Sequence, residues 1–572
     1  MASKAQSNTM MVAAFDFGTT YSGYAYSFRH DPNTIQTNQN WYAGGGASRL
    51  VSLKTPTSVL LNPKERFDKF GFEAEDKYAS LTEGGKHHGW RLFWRFKMVL
   101  HSTKHLTKDV EVEDFCGKKM KAFPLFAMSI KYLKEHLFAA ITRQTTGFEE
   151  TDILYVLTVP AIWDDNAKWF MREAAVTAGV DPRRLKLALE PECASVQCET
   201  LSMAFKGAVT VQGSQFMVVD LGGGTADISV HERKADGTLK EIHITSGGPW
   251  GGIYVDENYM KMLNELFGEK AITELRKTEI NDYFDVIREF EHKKRSFDTE
   301  KTNQLIVRIS ASLRDLAEKY SSKSLEERIG TLQIDNAIAK KGKDKLQFDT
   351  AIFKAWFERP IDLLMRHLKS LLAEPKMRSV HTVILVGGFG ESPYVQRRIK
   401  SEITGVRLIV PSEAGLTVLK GAVRFGLNPD IVSSRIMKYT YGVAGYRDFD
   451  EKKHPEGKKK WLNGEWSVPK CFNVYIRVND EVRVNQQVIM KSIPTSEITL
   501  TSVYRTTQEN PEYTTDPGCE LLGTIRLECS KDIPLQHQVL ETTFMFGGTE
   551  LLVKKKNKTT GKETDMTFEC FQ

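Results

Sequence analysis

Two short stretches of this 572-residue chain set a carboxylate just ahead of a glycine turn and hydroxyl side chains. In "MVAAFDFGTTYSGYAYSF" (11–28), Asp16 is followed by Gly18, Thr19, Thr20 and Tyr21. In "QFMVVDLGGGTADISV" (215–230), Asp220 is followed by Gly222, Gly223, Gly224 and Thr225, with Asp227 close behind. Open backbone N–H groups and hydroxyls in such a turn can grip phosphate oxygens, and a carboxylate at a strand end can hold a hydrated Mg2+. An Asp followed by Gly is also ordinary turn chemistry, so one copy decides little. The recurrence carries the argument. Two such turns placed face to face would pinch a polyphosphate from both sides, with Asp16 and Asp220 sharing one Mg2+ shell through water. The glycine run 222–224 then has a purpose, because side chains there would block backbone approach.

Three further groups are candidates. In "RLKLALEPECASV", Glu190 stands where an apolar strand gives way to a helix that Pro191 can start. It serves either to orient a water or simply to favour the helix dipole. In "FEHKKRSFD", Glu291, Lys294 and Arg295 have helical i, i+3 and i+4 spacing, which is either one polar binding face or a solvated charged face. In "HTVILVGGFGESPYV", Gly387 and Gly388 follow an apolar strand and let backbone approach a planar ligand such as a nucleoside.

The elements that must position these residues are legible in outline. Apolar residues 11–15 and the aromatic run 21–28 predict a hairpin of two strands, not the strand-to-helix turn of a P-loop or dinucleotide fold, and no GxxxxGK[ST] occurs. The second copy predicts the same hairpin, hence a duplicated domain. Between them, 153–159 reads as a strand, Asp164 or Asp165 as a helix cap and Gly179 as a helix end. This is α/β organisation.

Composition bounds the rest. The length implies two or more domains, and 41% hydrophobic with 27% charged residues is ordinary globular usage. A net charge of +6 with scattered basic residues argues against nucleic acid. The start "MASKAQSNTM" has no apolar leader, and no stretch is long enough to span a bilayer, so a cytoplasmic protein is expected. Seven thinly spread cysteines read as reduced thiols, and Cys193 with Cys198 match no zinc spacing. The sequon at Asn557 reads as incidental, "GGGAS" (44–48) as a flexible loop, Lys458 to Lys460 as a solvated loop, and Lys554 to Lys556 as a lysine-guarded edge strand.

In this order, "FDFGTTYS", "VPAIW", "LEPECASV", "VVDLGGGTADISV" and "VILVGGFGESPYV" resemble the motifs of the 70-kDa heat-shock protein family, across roughly the first 425 residues. Details such as "SGGPWGG", "FKMVL" and "GLTVLKGAVRFG" resemble a divergent branch of it. The resemblance implies duplicated actin-like (ribonuclease-H-like) ATPase lobes at 10–428, a linker at 429–438, and an all-β sandwich at 439–572. It implies ATP or ADP with Mg2+ as ligands, and a protein client or partner on the β-domain. By the same resemblance Asp16, Gly18, Thr19, Thr20 and Tyr21 form the first phosphate site. Asp220, Gly222, Gly223, Gly224, Thr225 and Asp227 form the second. Glu190 and Lys97 match the catalytic Glu and Lys, although Lys97 in "WRFKMVL" also reads as a lysine snorkelling from a helix. Glu291, Lys294, Arg295, Gly387 and Gly388 match the nucleoside site.

Departures accompany the match. Gly251, Gly252, Ile253 and Tyr254 replace a Gly-Gly-Glu-Asp, leaving Asp256 as the nearby acid, and Phe389 and Glu391 replace a Ser and a base-stacking Arg. The linker is more polar than the family's, and Gln572 falls where a helical lid would begin. A chaperone-like weak ATPase is the expectation. A nucleotide-gated adaptor with negligible turnover is the alternative, and a small-molecule kinase of the same fold a weaker one, since no acidic sugar site is visible.

Overall fold

The computed structural model describes residues 9–38, 41–43, 50–103, 106–200, 203–301, 304–321, 323–332, 337–342, 344–462 and 464–568. The start 1–8 and the loop expected at 44–48 lie outside them. No helix among the described residues is long and apolar enough to cross a membrane.

Two sheets repeat one plan. In the first, strands Leu185–Leu189, Ile153–Val159, Met11–Phe17, Tyr21–Phe28 and Gln36–Thr37 lie side by side, the first three parallel and the last two antiparallel to their neighbours. In the second, Arg407–Ile409, Val380–Val386, Gln215–Leu221, Ala226–Arg233 and Leu239–Gly248 have the same order and directions. Asp16 and Asp220 are each the penultimate residue of the inner hairpin strand. The first hairpin is therefore slightly longer than its apolar run predicts: Asp16 lies within the strand, paired with Gly23, and the turn is Gly18 to Thr20.

Each inner strand is buried on both faces, as expected of strands covered by helices on both sides. Along Met11–Phe17, Met11, Ala13, Phe15 and Phe17 join one core, while Val12 and Ala14 join another that lies between the two sheets. That middle core holds helices Glu190–Gln197 and Ala414–Leu427, which meet so closely that a Cβ on Gly421 would overlap the Cys193 carbonyl. Cys193 and Cys198 are buried free thiols, in keeping with the packing role expected of them. Helices Ile253–Phe267, Ile280–Ser296 and Thr350–Leu372 pack an aromatic-rich core onto the second sheet.

The segment expected as a linker is ordered. A 3-10 turn, Pro429–Ile431, leads into strand Val432–Ile436, which pairs in parallel with Leu239–Gly248 and on its other edge accepts Glu481–Arg483. Beyond it the chain is all-β. Antiparallel sheets of six and four strands contribute Tyr441, Val503, Ile525, Phe544 and Val553 to one shared apolar cluster.

Two lysine readings are corrected. Strand Leu552–Asn557 lies between Leu540–Phe546 and Glu563–Asp565, so Lys554 to Lys556 do not guard an edge, and buried Lys555 donates to the Thr501 hydroxyl at 2.6 Å. Lys458 and Lys459 are not merely solvated: they lie over the rings of Tyr513, Phe449 and Trp466. Asn557 is fully buried and donates to Gln538 at 2.6 Å, which agrees with an incidental sequon.

Candidate functional site

The two glycine turns meet. A Cβ on Gly223 would overlap the Thr20 hydroxyl, and one on Gly224 would overlap Met98 and crowd the Thr19 hydroxyl. The second turn is held by its carbonyls: Gly222, Gly223 and Gly224 accept from the N–H groups of Gly252, Ile253 and Gly251 at 3.2, 2.9 and 3.2 Å. The first is bolted to residue 57, whose N–H donates to the Thr20 carbonyl at 2.9 Å and whose hydroxyl donates to the Gly18 carbonyl at 2.8 Å. Among the described residues, no backbone acceptor is bonded to the N–H groups of Thr19, Thr20, Gly223 and Gly224, and all four residues line a cleft of about 360 Å3.

Nearly every residue singled out by sequence lines that one cleft. Asp16, Gly18, Thr19, Thr20, Tyr21, Lys97, Glu190, Asp220, Gly222, Gly223, Gly224 and Thr225 form its floor and walls, and Glu291, Lys294, Arg295, Gly387 and Gly388 its outer part. Asp227 lies behind it, with its carboxylate accepting from the Ile162 N–H at 2.9 Å. Gly387 has a φ of +84°, and a Cβ there would run into the Asp220 carboxylate, so glycine is required at this close approach.

Lys97 belongs to a 3-10 turn, Phe96–Met98, and is buried rather than snorkelling. Its ammonium donates to Glu190 at 3.1 Å and sits 5.0 Å over the Trp163 ring. Asp16 accepts from the Thr158 hydroxyl at 3.2 Å and from Lys54 at 2.6 Å. In the outer part, Lys294 bridges Asp256 and Glu291, both at 2.6 Å, while Arg295 pairs with Glu291 at 2.7 Å and lies over the Tyr21 ring at 5.1 Å. Asp256 also takes Arg95 at 2.7 Å, an ion pair between the halves of the molecule. Phe389 stacks on Phe357, and Glu391 accepts from the Gly415 N–H at 2.9 Å.

Electrostatics divide the acids. Burial would raise the Asp16 carboxyl, but Lys54, with Lys97 and Thr158, holds it below the usual range. Burial, then the charges of Asp16 and Asp227, push Glu190 up to about 7 despite Lys97. Asp220 is raised well above its ordinary value by burial and by facing Glu190, Asp227 and Asp16. Burial likewise raises Asp227, with the Ile162 N–H limiting the rise. Burial works against Glu291 too, yet Lys294 and Arg295 hold it at about 2.

This surplus of acid suits a cation. Among the described residues no three His, Cys, Asp or Glu side chains gather closely enough to ligate a metal directly. Asp16 and Asp220, which line the cleft at the ends of the two inner strands, are the carboxylates a cation there would face.

Comparison with known proteins follows the same line. An Hsp70 protein model matches residues 90–283, and a domain of unknown function (DUF8340) matches 210–411. Heat shock 70 kDa protein 12A of Mus musculus is 32% identical over 99% of this chain and 92% of its own length. Heat shock 70 kDa protein 12B of Homo sapiens is 31% identical over 99% and 91%. The chain belongs to the 70-kDa heat-shock protein family. Within it the match is to the divergent 12A/12B branch, as the sequence details anticipate. Chaperone protein DnaK of Mycoplasmopsis agalactiae is more distant, at 24% over 57% of this chain and 49% of its own. Hsp70 membership carries the actin-like lobes with it, and the two matching sheets are those lobes.

Sequence reasoning passed over three residues of the site. Thr158 was legible, being one residue from the end of a strand expected beside the hairpin. Lys54 carried no signal, since it lies 38 residues from Asp16 in a stretch without a motif. Arg95 was equally silent, though its φ of +53° is uncommon for a side-chain-bearing residue and fits a functional constraint.

Proposed function

We propose that the chain is an ATP-binding, ATP-hydrolysing chaperone-like protein whose nucleotide state controls its all-β C-terminal part. Residues 10–428 are the nucleotide-binding unit, 429–438 the linker, and 439–572 a β-sandwich that binds a protein client or partner. The free cysteines among the described residues suit work in a reducing compartment such as the cytoplasm. The single observation that carries the reading is the convergence of both glycine turns on one cleft.

In this mechanism the N–H groups and hydroxyls of Thr19, Thr20, Gly223, Gly224 and Thr225 grip the β- and γ-phosphates, and Glu291, Lys294 and Arg295 meet the nucleoside. Asp16 and Asp220 are the residues that would hold Mg2+, which when bound would supply charge neutralisation to the phosphates. Glu190, poised near neutrality, accepts a proton from the attacking water, with Asp220 or Asp227 helping to orient it. Lys97 sits beside Glu190 to offset charge developing at the γ-phosphate. Arg295 and Tyr21 offer the base a stacking wall, where Glu391 offers none.

A short route supports control of the β-part. The Asp227 carboxylate holds the Ile162 N–H, and the Ile162 carbonyl accepts from Lys438, at the end of the linker, at 2.9 Å. A change at Asp227 thus reaches the linker through one residue, Ile162. The alternative of an adaptor with negligible turnover is favoured by the Lys54 ion pair, which occupies an oxygen of Asp16.

Single-turnover hydrolysis tests the reading. Asp16→Asn is expected to slow ATP cleavage by about 100-fold or more, the scale for losing a preorganised electrostatic contact. An unchanged rate would remove Asp16 from the site. Nucleotide-dependent protease protection without hydrolysis would support the adaptor instead.

A further inference from the structure

We propose that Lys54 is a phosphate-positioning residue, a tethered cation at Asp16 that lets the cleft hold nucleoside di- and triphosphates when divalent metal is scarce. The inference rests on the nucleotide reading above and concerns the same site.

The placement of Lys54 is built rather than incidental. The strand that follows it, Thr55–Pro56, pairs with Tyr21 and Ser22 directly after the first glycine turn. With residue 57 bonded to both Gly18 and Thr20, the backbone that carries Lys54 is fixed to the phosphate turn. Its aliphatic stem crosses Gly23, where an added Cβ would lie 3.1 Å from the Lys54 Cγ. Gly23 is the cross-strand partner of Asp16, so the missing side chain opens a path from Lys54 to that carboxylate. Nζ ends 2.6 Å from Asp16 Oδ2 and lines the cleft, with the side chain 19% exposed.

Charge and donor counting define what it does there. Asp16, Glu190, Asp220 and Asp227 face two ammonium groups, and Lys97 is committed to Glu190. An ammonium has three N–H donors. With one given to Asp16, Lys54 keeps donors for phosphate oxygens entering beside Thr19 and Thr20. A lysine serves such oxygens as a point charge. Lys54 therefore joins Asp16 to a bound phosphate in the way a hydrated divalent ion would, although with half its charge.

Equilibrium binding of ATP and of inorganic triphosphate to the full chain, in Mg2+ and in EDTA, tests this. The wild type is expected to bind ATP measurably in EDTA. Lys54→Met should lose about 10- to 100-fold more affinity in EDTA than in Mg2+, the worth of one charged hydrogen bond, and Lys54→Arg should recover most of the loss. Inorganic triphosphate should show the same pattern, because the contact is to phosphate. Equal losses in the two media, or wild-type binding in Mg2+ but none in EDTA, would overturn the role of Lys54 and leave the nucleotide reading standing. No binding in either medium would overturn both. The wild-type arm decides even if Lys54→Met proves unstable to heat.

Discussion

At the scale of single residues the site is governed by where negative charge is balanced. Lys54 outweighs burial at Asp16, Lys97 does not outweigh it at Glu190, and Asp220 faces other acids. Glu190 gives this a consequence for stability. Its folded value of about 7 lies above an unfolded value near 4.5, so the folded state holds its proton more tightly. The associated stability is fully present below about 4.5 and is lost as pH rises to about 7. Without nucleotide, Glu190→Gln should flatten that fall, leaving the variant about 1 to 3 kcal/mol better placed at pH 8 than at pH 4.5 relative to wild type. Chemical denaturation across pH measures it, and parallel curves for the two proteins would contradict it. Residues that recur in both hairpins were legible in the sequence because repetition marks them. Lys54 and Arg95 were not, because each acts through a partner distant in sequence and belongs to no repeated pattern.

At the scale of elements, close packing between the two sheets sets the cleft geometry. Helices Glu190–Gln197 and Ala414–Leu427 are in contact at Gly421, so the start of the former, which carries Glu190, depends on the latter staying close. Gly421→Val should force them apart, costing about 1 to 3 kcal/mol by overpacking and weakening nucleotide binding together with stability. Thermal melts and binding on the same preparation check this; a stable variant with normal binding would refute the link. The strands and helices were readable because their apolar runs, caps and glycines act locally, as at Asp164, which caps its helix by accepting from the Ala167 N–H. The strand Val432–Ile436 was not, because its polar composition marks a connector in isolation. Pairing with Leu239–Gly248 on one edge and Glu481–Arg483 on the other makes a strand of it.

At the scale of the whole molecule, the β-part is docked on the first lobe through buried charge. Arg505 donates to Asp164 at 2.7 Å and to Asp165 at 3.1 Å, and lies over the Tyr439 ring, while the Tyr441 hydroxyl donates to Asp165 at 2.8 Å. Trp169 stacks on Phe568 at 4.6 Å, and Arg172 pairs with Glu550. Removing the guanidinium leaves the buried Asp165 carboxylate unbalanced, while Asp164 and Glu520 keep access to water, so Arg505→Ala should weaken docking by about 2 to 4 kcal/mol. The strand Val432–Ile436 should then become open to protease without loss of nucleotide affinity. Continued protection would mean that docking does not depend on this cluster. The contacts that cross from one part to the other were not predictable, since each joins residues hundreds of positions apart.

Calorimetric titration of the full chain with ATP, ADP and AMP in Mg2+ tests the central claim most directly, because a grip by two glycine turns is a grip on phosphates. One saturable site is predicted, tightest for ATP and ADP and weaker by about 100-fold or more for AMP, which lacks the phosphates those turns would hold. Equal affinity for all three, or no binding of any, would contradict it.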